Sequence, residues 1–213
     1  MSAKTSLVVL ALLAAGCGGG GNTTNGVTQQ QLDKALLTTA DVPPGYKLDK
    51  KTDPQSTAPP VSASADCPTR FAALGRVSGG GAVLTAQARF QGPQIGTILQ
   101  ETVARIADKS DVAKRFGEVN DVITSCPSFT IGTGTSRQVV TLQLLDAGTI
   151  GDQALAYGVS VRSGGVVYAA DEVLCSIGRS IVLVAHGGLA RPDLTLAKAS
   201  ARTAVKRLSG LPS

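Results

Sequence analysis

The sequence predicts an α+β domain in which helices pack on a largely antiparallel sheet. Three observations carry that expectation. AVLTAQARF, residues 82 to 90, alternates strictly, with Ala82, Leu84, Ala86, Ala88 and Phe90 facing one way and Thr85, Gln87 and Arg89 the other, as in a strand covered on one face. In SDVAKRFGEVNDVITS, residues 110 to 125, Val112, Phe116, Val119 and Ile123 recur at spacings of four, three and four, the period of a helical stripe. One helix, two strands, a second helix, four strands and a third helix then follow one another, an order that parallel βαβ units do not produce.

The elements follow from the amino terminus. TQQQLDKALL (28–37) suits a short helix with Leu32, Ala35 and Leu36 on one side, halted by VPPGY, where Pro43 and Pro44 cannot donate and Gly45 permits a turn. TDPQSTAPPVSASAD (52–66) holds three prolines among small polar residues and reads as an exposed connector pinned by Cys67. SGGG (78–81) is a turn before the alternating strand, and ILQETVARIA (98–107) returns as its antiparallel neighbour or, alternatively, as a helix. In the helix of residues 110 to 125, Ser110 or Asp111 caps the start, Asp111 and Arg115 are spaced to pair, and Pro127 bars continuation.

Four more strands are expected in RQVVTLQLL, ALAYGVSVR, VVYAADEVLCSI and SIVLVAHG. They are punctuated by Gly148 and Gly151, Gly164 and Gly165, and Gly178 with Arg179 at hairpin-like spacing. In the second, Leu155, Tyr157, Val159 and Val161 share a face, and the last is apolar on both faces, which marks a central strand. DLTLAKASARTAVKRL closes the chain as a helix capped by Asp193, with Leu194, Ala197, Ala201, Val205 and Leu208 as its buried stripe.

Ahead of this domain, residues 1 to 6 carry one charged side chain, Lys4, and LVVLALLAA (7–15) carries none. That is the layout of a secretory leader, too short to span a bilayer of about 30 Å. LAAGC at its end resembles the bacterial lipobox, which implies cleavage after residue 16 and diacylglyceryl transfer to the sulfur of Cys17. Acyl chains hold a protein to a membrane because each buried methylene contributes about 0.8 kcal/mol. Residues 17 to 27 then serve as an acylated flexible tether, with GGGGNTTNG offering no apolar side chain to pack, and residues 28 to 213 form the domain. The location this implies is extracytoplasmic, on the cell membrane.

The formal charge of +5 falls by one when Lys4 leaves with the leader, a modest basic excess. With three Tyr, four Phe and no Trp there are few platforms on which bases could stack, so nucleic acid is not an expected partner and an anionic envelope surface suits the charge better. Once Cys17 is acylated, three thiols remain in a compartment where disulfides persist. Cys67 begins CPTRF and Cys126 begins CPSF, and a following proline biases each toward extended backbone. Cys175 lies within VLCSI on the side of Val173 and Ile177. The expected bridge is Cys67 to Cys126, with Cys175 a buried free thiol. The absence of a CxxC pair argues against a redox role.

LLTTADVPPGYKL, the CPTRF and CPSF pair, GDQALAYGVSVRSGGVVYAADEV and the last strand and helix together resemble a group of actinobacterial lipoproteins. Their domain is similar to the extracellular sensor domain of mycobacterial serine/threonine kinases. The resemblance implies an α+β sheet with helices, disulfide support, a cleft for a small ligand and no catalytic residue. The sensor domain is usually described with two disulfides, whereas this chain has cysteines for one. It also lacks a kinase domain, so a signal would have to pass to another protein.

No catalytic constellation is legible. His186 is the only histidine, and HGGL invites comparison with an esterase oxyanion loop, but the hydrolase elbow GxSxG is missing: GVSVR around Ser160 lacks its second glycine. A zinc site of the usual kind needs more histidine, and no DxDxDG run offers a calcium loop. Asp152, Asp171 with Glu172, and Glu118 with Asp121 are the acidic groupings; adjacent strand residues point to opposite faces, so Asp171 and Glu172 do not form an acid/base pair. SGGGAV and GTGT lack the lysine and helix of a phosphate loop and read as turns. On the last helix Lys198, Arg202 and Lys206 form a basic ridge, joined by Arg207, that suits anionic headgroups or wall polymers.

The function this predicts is a lipid-anchored, extracytoplasmic, non-enzymatic binding or sensor-like domain for a small apolar or amphipathic ligand or an envelope partner, without cofactor or metal. The contrasting readings are an envelope hydrolase using His186 and a structural envelope protein without a pocket.

Overall fold

A computed structural model of the chain describes residues 23–24, 26–49, 66–74, 82–134 and 137–212. The leader, Cys17 and most of its tether, nearly all of the proline-rich connector and the turn at 78–81 lie outside the described residues. A two-residue ladder pairs β1 (Thr23–Thr24) with β2 (Val27–Thr28). The remaining strands are β3 (Lys47–Leu48), β4 (Ala82–Gln91), β5 (Ile98–Ile106), β6 (Ser128–Ile131), β7 (Gln138–Leu145), β8 (Gln153–Ser163), β9 (Val166–Ile177) and β10 (Ser180–Gly188). They form one eight-stranded sheet in the order β3-β4-β5-β10-β9-β8-β7-β6, antiparallel throughout. Helices α1 (Gln29–Ala35), α2 (Cys67–Leu74), α3 (Lys109–Ser125) and α4 (Leu194–Leu208) complete an α+β fold.

β10 is central, as its two apolar faces predict. Val182 and Val184 face a core built with α1 and α4, and Ile181 and Leu183 face a second core built with α3 and α2. Val112, Phe116, Val119 and Ile123 are buried, joined by Val122, and full burial of such side chains is worth about 1.5–3 kcal/mol each. Ala197, Ala201 and Leu208 of α4 are buried with Ser200 and Ala204, while Leu194 and Val205 are half-buried. The β8–β9 and β9–β10 turns each have two residues, with positive φ at Gly164, Gly165 and Gly178, which a side chain disfavours.

Several local expectations are corrected. α1, closed at its start by a reciprocal Thr28–Gln31 capping box, ends at Ala35 rather than at Leu37, because Leu36 turns to extended backbone. Asp108, not Ser110 or Asp111, caps α3, accepting from the Ser110 N–H at 2.9 Å, and Arg115 pairs with Glu118 at 3.2 Å. Ala82 does not share the face of Leu84: a register shift between them turns it toward the α3 side, as a bulge does. ILQETVARI is a strand, held by ladders to both β4 and β10.

Cys67 is not extended but opens α2. Asp66 caps that helix by accepting from the Thr69 N–H at 2.9 Å, and Pro68 is tolerated because a first-turn N–H has no intrahelical acceptor. α2 and β6 went unread in the sequence. A disulfide joins Cys67 to Cys126 across 59 residues, tying the start of α2 to the end of α3, and Phe71 packs against Phe129 in a tilted arrangement with centroids 5.3 Å apart. Cys175 is free and buried, and burial pushes its thiol up to about 12.

Closure of that loop stabilises the folded chain by about 4 kcal/mol in the chain-entropy account. Cys67→Ser/Cys126→Ser is therefore expected to unfold at lower urea with a free-energy loss approaching that figure, while Cys175→Ala, which leaves the bridge intact, keeps the parent's sensitivity to reductant.

Candidate functional site

His186 lies at the carboxyl end of β10, where α4 begins. Its Nδ1 accepts from the Asp193 backbone N–H at 2.9 Å, which leaves the ring proton on Nε2, 2.8 Å from the Tyr46 hydroxyl oxygen. Asp171, opposite His186 in the ladder, accepts from the Leu194 N–H, and Asp193 accepts from that of Leu196 at 3.1 Å. Burial lowers the imidazole pKa against the pull of Asp193 and Asp171. Both ring nitrogens are thus committed to holding the helix start and the segment around Tyr46. The HGG sequence has a packing cause: Gly188 has φ +148, and a Cβ there would sit 1.9 Å from the Gly96 carbonyl oxygen.

The other acidic groupings are similarly engaged. Asp152 accepts from the Gly178 N–H at 2.7 Å. Glu118 pairs with Arg115 and Asp121 with Arg70, so the two do not act together. Asp171 faces α4 and Glu172 the opposite side of the sheet. Among the described residues no cluster of three or more His, Cys, Asp or Glu side chains could hold a metal ion. The basic ridge of α4 is partly spent: Lys198 donates to the Asp146 carbonyl at 3.1 Å, and Arg207 pairs with Asp41 at 2.6 Å. Arg202 and Lys206 are exposed.

Two groups unread in the sequence dominate the polar interior. Glu101 of β5 is buried with its neighbours Leu99 and Val103; it accepts from the Leu37 N–H at 2.6 Å, and its Oε1 has no partner. Burial raises its pKa to about 7 against the opposing influence of the Leu37 N–H and Arg207. Strand alternation could have found it, because a carboxylate between Leu99 and Val103 must share their apolar face.

The second group is a row running across the opposite face of the sheet. Arg89, Gln100, Ala185, Glu172 and Tyr157 are consecutive ladder partners from β4 to β8. Tyr157 donates to Glu172 at 2.6 Å; burial raises the pKa of both, opposed at Glu172 by that hydrogen bond and reinforced at Tyr157 by the carboxylate. Tyr168 lies within electrostatic reach of Arg89 and Glu172. Arg89 Nε makes no hydrogen bond and stands 3.8 Å from Asp49. Ala185 is half-buried although its strand is central. Arg115 of α3 lies within electrostatic reach of Tyr157, so that helix covers the β8 end of the row, whereas Gln100 and Ala185 in its middle are half-buried. Half-buried Ile98 and Val159 border the row. An amphipathic molecule could lie across this surface, its polar groups on Arg89, Gln100 and Glu172 and its apolar part on the valine and isoleucine.

The fold is similar to that of the extracellular domain of PknH from Mycobacterium tuberculosis, with a TM-score of 0.62 at 11% identity over 89% of this chain and 100% of that one. It is also similar to an uncharacterised protein of Mycobacterium smegmatis, the Rv0999 ortholog, with a TM-score of 0.50 at 13% identity, covering 85% of this chain and 97% of that one. The class is therefore the α+β fold of that extracellular kinase domain, the one the sequence resembles. No protein-family profile and no curated protein matches the chain.

Glu101 binds its proton more tightly in the folded chain than at its ordinary pKa of 4.5, so its contribution is fully present below pH 4.5 and is lost as pH rises through about 7. Glu101→Gln, which keeps an acceptor for Leu37, is expected to remove that decline, gaining up to about 3 kcal/mol over the parent above pH 7 in urea unfolding. His186→Ala is expected to cost about 1–3 kcal/mol by leaving the Asp193 N–H and the Tyr46 hydroxyl without their partner, read as a lowered thermal midpoint.

Proposed function

We propose that this chain is a lipid-anchored, extracytoplasmic, non-enzymatic binding domain of the sensor type, which takes a small amphipathic ligand on the row from Arg89 to Tyr157. The observation that carries the reading is the polar row left half-open in the middle of a sheet. A protein with only a structural role would gain nothing from placing a desolvated Glu172 and a buried Arg89 Nε without a hydrogen bond there. Likeness of fold to the extracellular domain of PknH supports the location, and LAAGC supports the anchor at Cys17. The hydrolase reading finds no support at His186, whose two nitrogens serve Tyr46 and Asp193.

Native mass spectrometry of the protein purified from its host envelope tests the reading. The expected result is a bound small molecule that is retained by His186→Ala and lost from Arg89→Ala and Glu172→Ala. A ligand-free spectrum, or a ligand indifferent to both row substitutions, would sink it. Intact-mass analysis of the same material is expected to show a mature terminus at Cys17 carrying acyl chains.

A further inference from the structure

Strand register gathers three neighbouring loops at one end of the sheet, because Ile98, Gly187 and Ala170 are ladder partners and the β8–β9 turn lies just beyond. Each loop lifts an apolar side chain into solvent: Ile95 is 94% exposed, Leu189 58% and Val166 56%. The first two loops touch, since a Cβ at Gly96 would stand 3.2 Å from Leu189 Cγ. Exposed Lys47, Arg162 and Arg191 share this end and form no ion pair among the described residues. Of the carboxylates nearby, half-buried Asp171 accepts from the Leu194 N–H within electrostatic reach of Arg191, and exposed Asp193 is engaged in capping α4. On α4, by contrast, Lys198 and Arg207 already hold acidic partners.

We propose that this end of the sheet is a docking surface for an anionic phospholipid bilayer, independent of the ligand row. Unpaired cations around apolar apices complement a surface that is anionic outside and apolar within. Three separate convex apices also suit a fluid interface, which closes around each side chain without a preformed pocket. The tether is rooted at the other end, where Gly26 lies against Pro212 and Pro212 accepts from Arg105. From Arg105 to Ile98 is about 24 Å of strand, and nine residues from Cys17 to Asn25 extend to about 30 Å. An acylated Cys17 and this end therefore reach one bilayer together only with the β1–β2 ladder opened and the tether drawn straight.

The test uses the mature chain with Cys17→Ser, so that acyl chains play no part, sedimented with phosphatidylglycerol/phosphatidylcholine vesicles and with phosphatidylcholine alone. Binding to the anionic vesicles, weakened by salt, is expected. Ile95→Ser/Leu189→Ser should lower it at least about tenfold, Arg162→Glu/Arg191→Glu should abolish the preference for anionic lipid, and Arg202→Glu/Lys206→Glu should leave it unchanged, with thermal midpoints confirming that each variant is folded. Failure of the parent to bind anionic vesicles, binding indifferent to the loop substitutions, or binding lost only with the α4 pair would overturn the proposal.

Discussion

The architecture depends on one strand that cannot be left bare on either side. β10 is apolar on alternate and intervening positions alike, so each face must be covered, and its two edges must find partners for every backbone group they expose. β5 satisfies one edge and β9 the other; α1 and α4 cover one face and α2 and α3 the other. The rest of the sheet is an extension of that arrangement outward to β3 and β6.

Polar side chains inside this frame serve two different purposes. Glu101, His186, Asp41 and Arg207 tie the segment from α1 to β3 down onto the sheet and α4, adding specific bonds to the burial of Leu32, Leu37 and Val42. The row on the other face ties nothing to the sheet. Glu172 and Tyr157 satisfy one another, and Arg89 at the far end is left with a distant carboxylate. The difference between a polar group that completes the fold and one that the fold merely supports is what underlies the proposal of a binding surface on the row.

Strands were the most legible part of the chain, since period-two patterning in AVLTAQARF, ALAYGVSVR and the double-faced SIVLVAHG depends only on which side meets the core. Helix α3 was equally plain from Val112, Phe116, Val119 and Ile123. What escaped was short or contextual. The proline of CPTRF favours extended backbone at Cys67, yet Asp66 one residue earlier supplies a cap that lets proline stand in a first turn. β6 has only four residues and no pattern long enough to register. The polar row could not be read because its members come from five separate strands, and only the register of β4, β5, β10, β9 and β8 brings them into line. Glu101 was available to alternation but was passed over within ILQETVARI.

The place of β10 in the chain has a consequence for how the molecule comes into being. The strands on its two sides are made before it, and the helix that covers it is made after it. Until the last sixth of the polypeptide is delivered, what exists is a pair of half-sheets with a gap between them, each with a raw edge. Closing the sheet is therefore a late, long-range step that waits for the final residues.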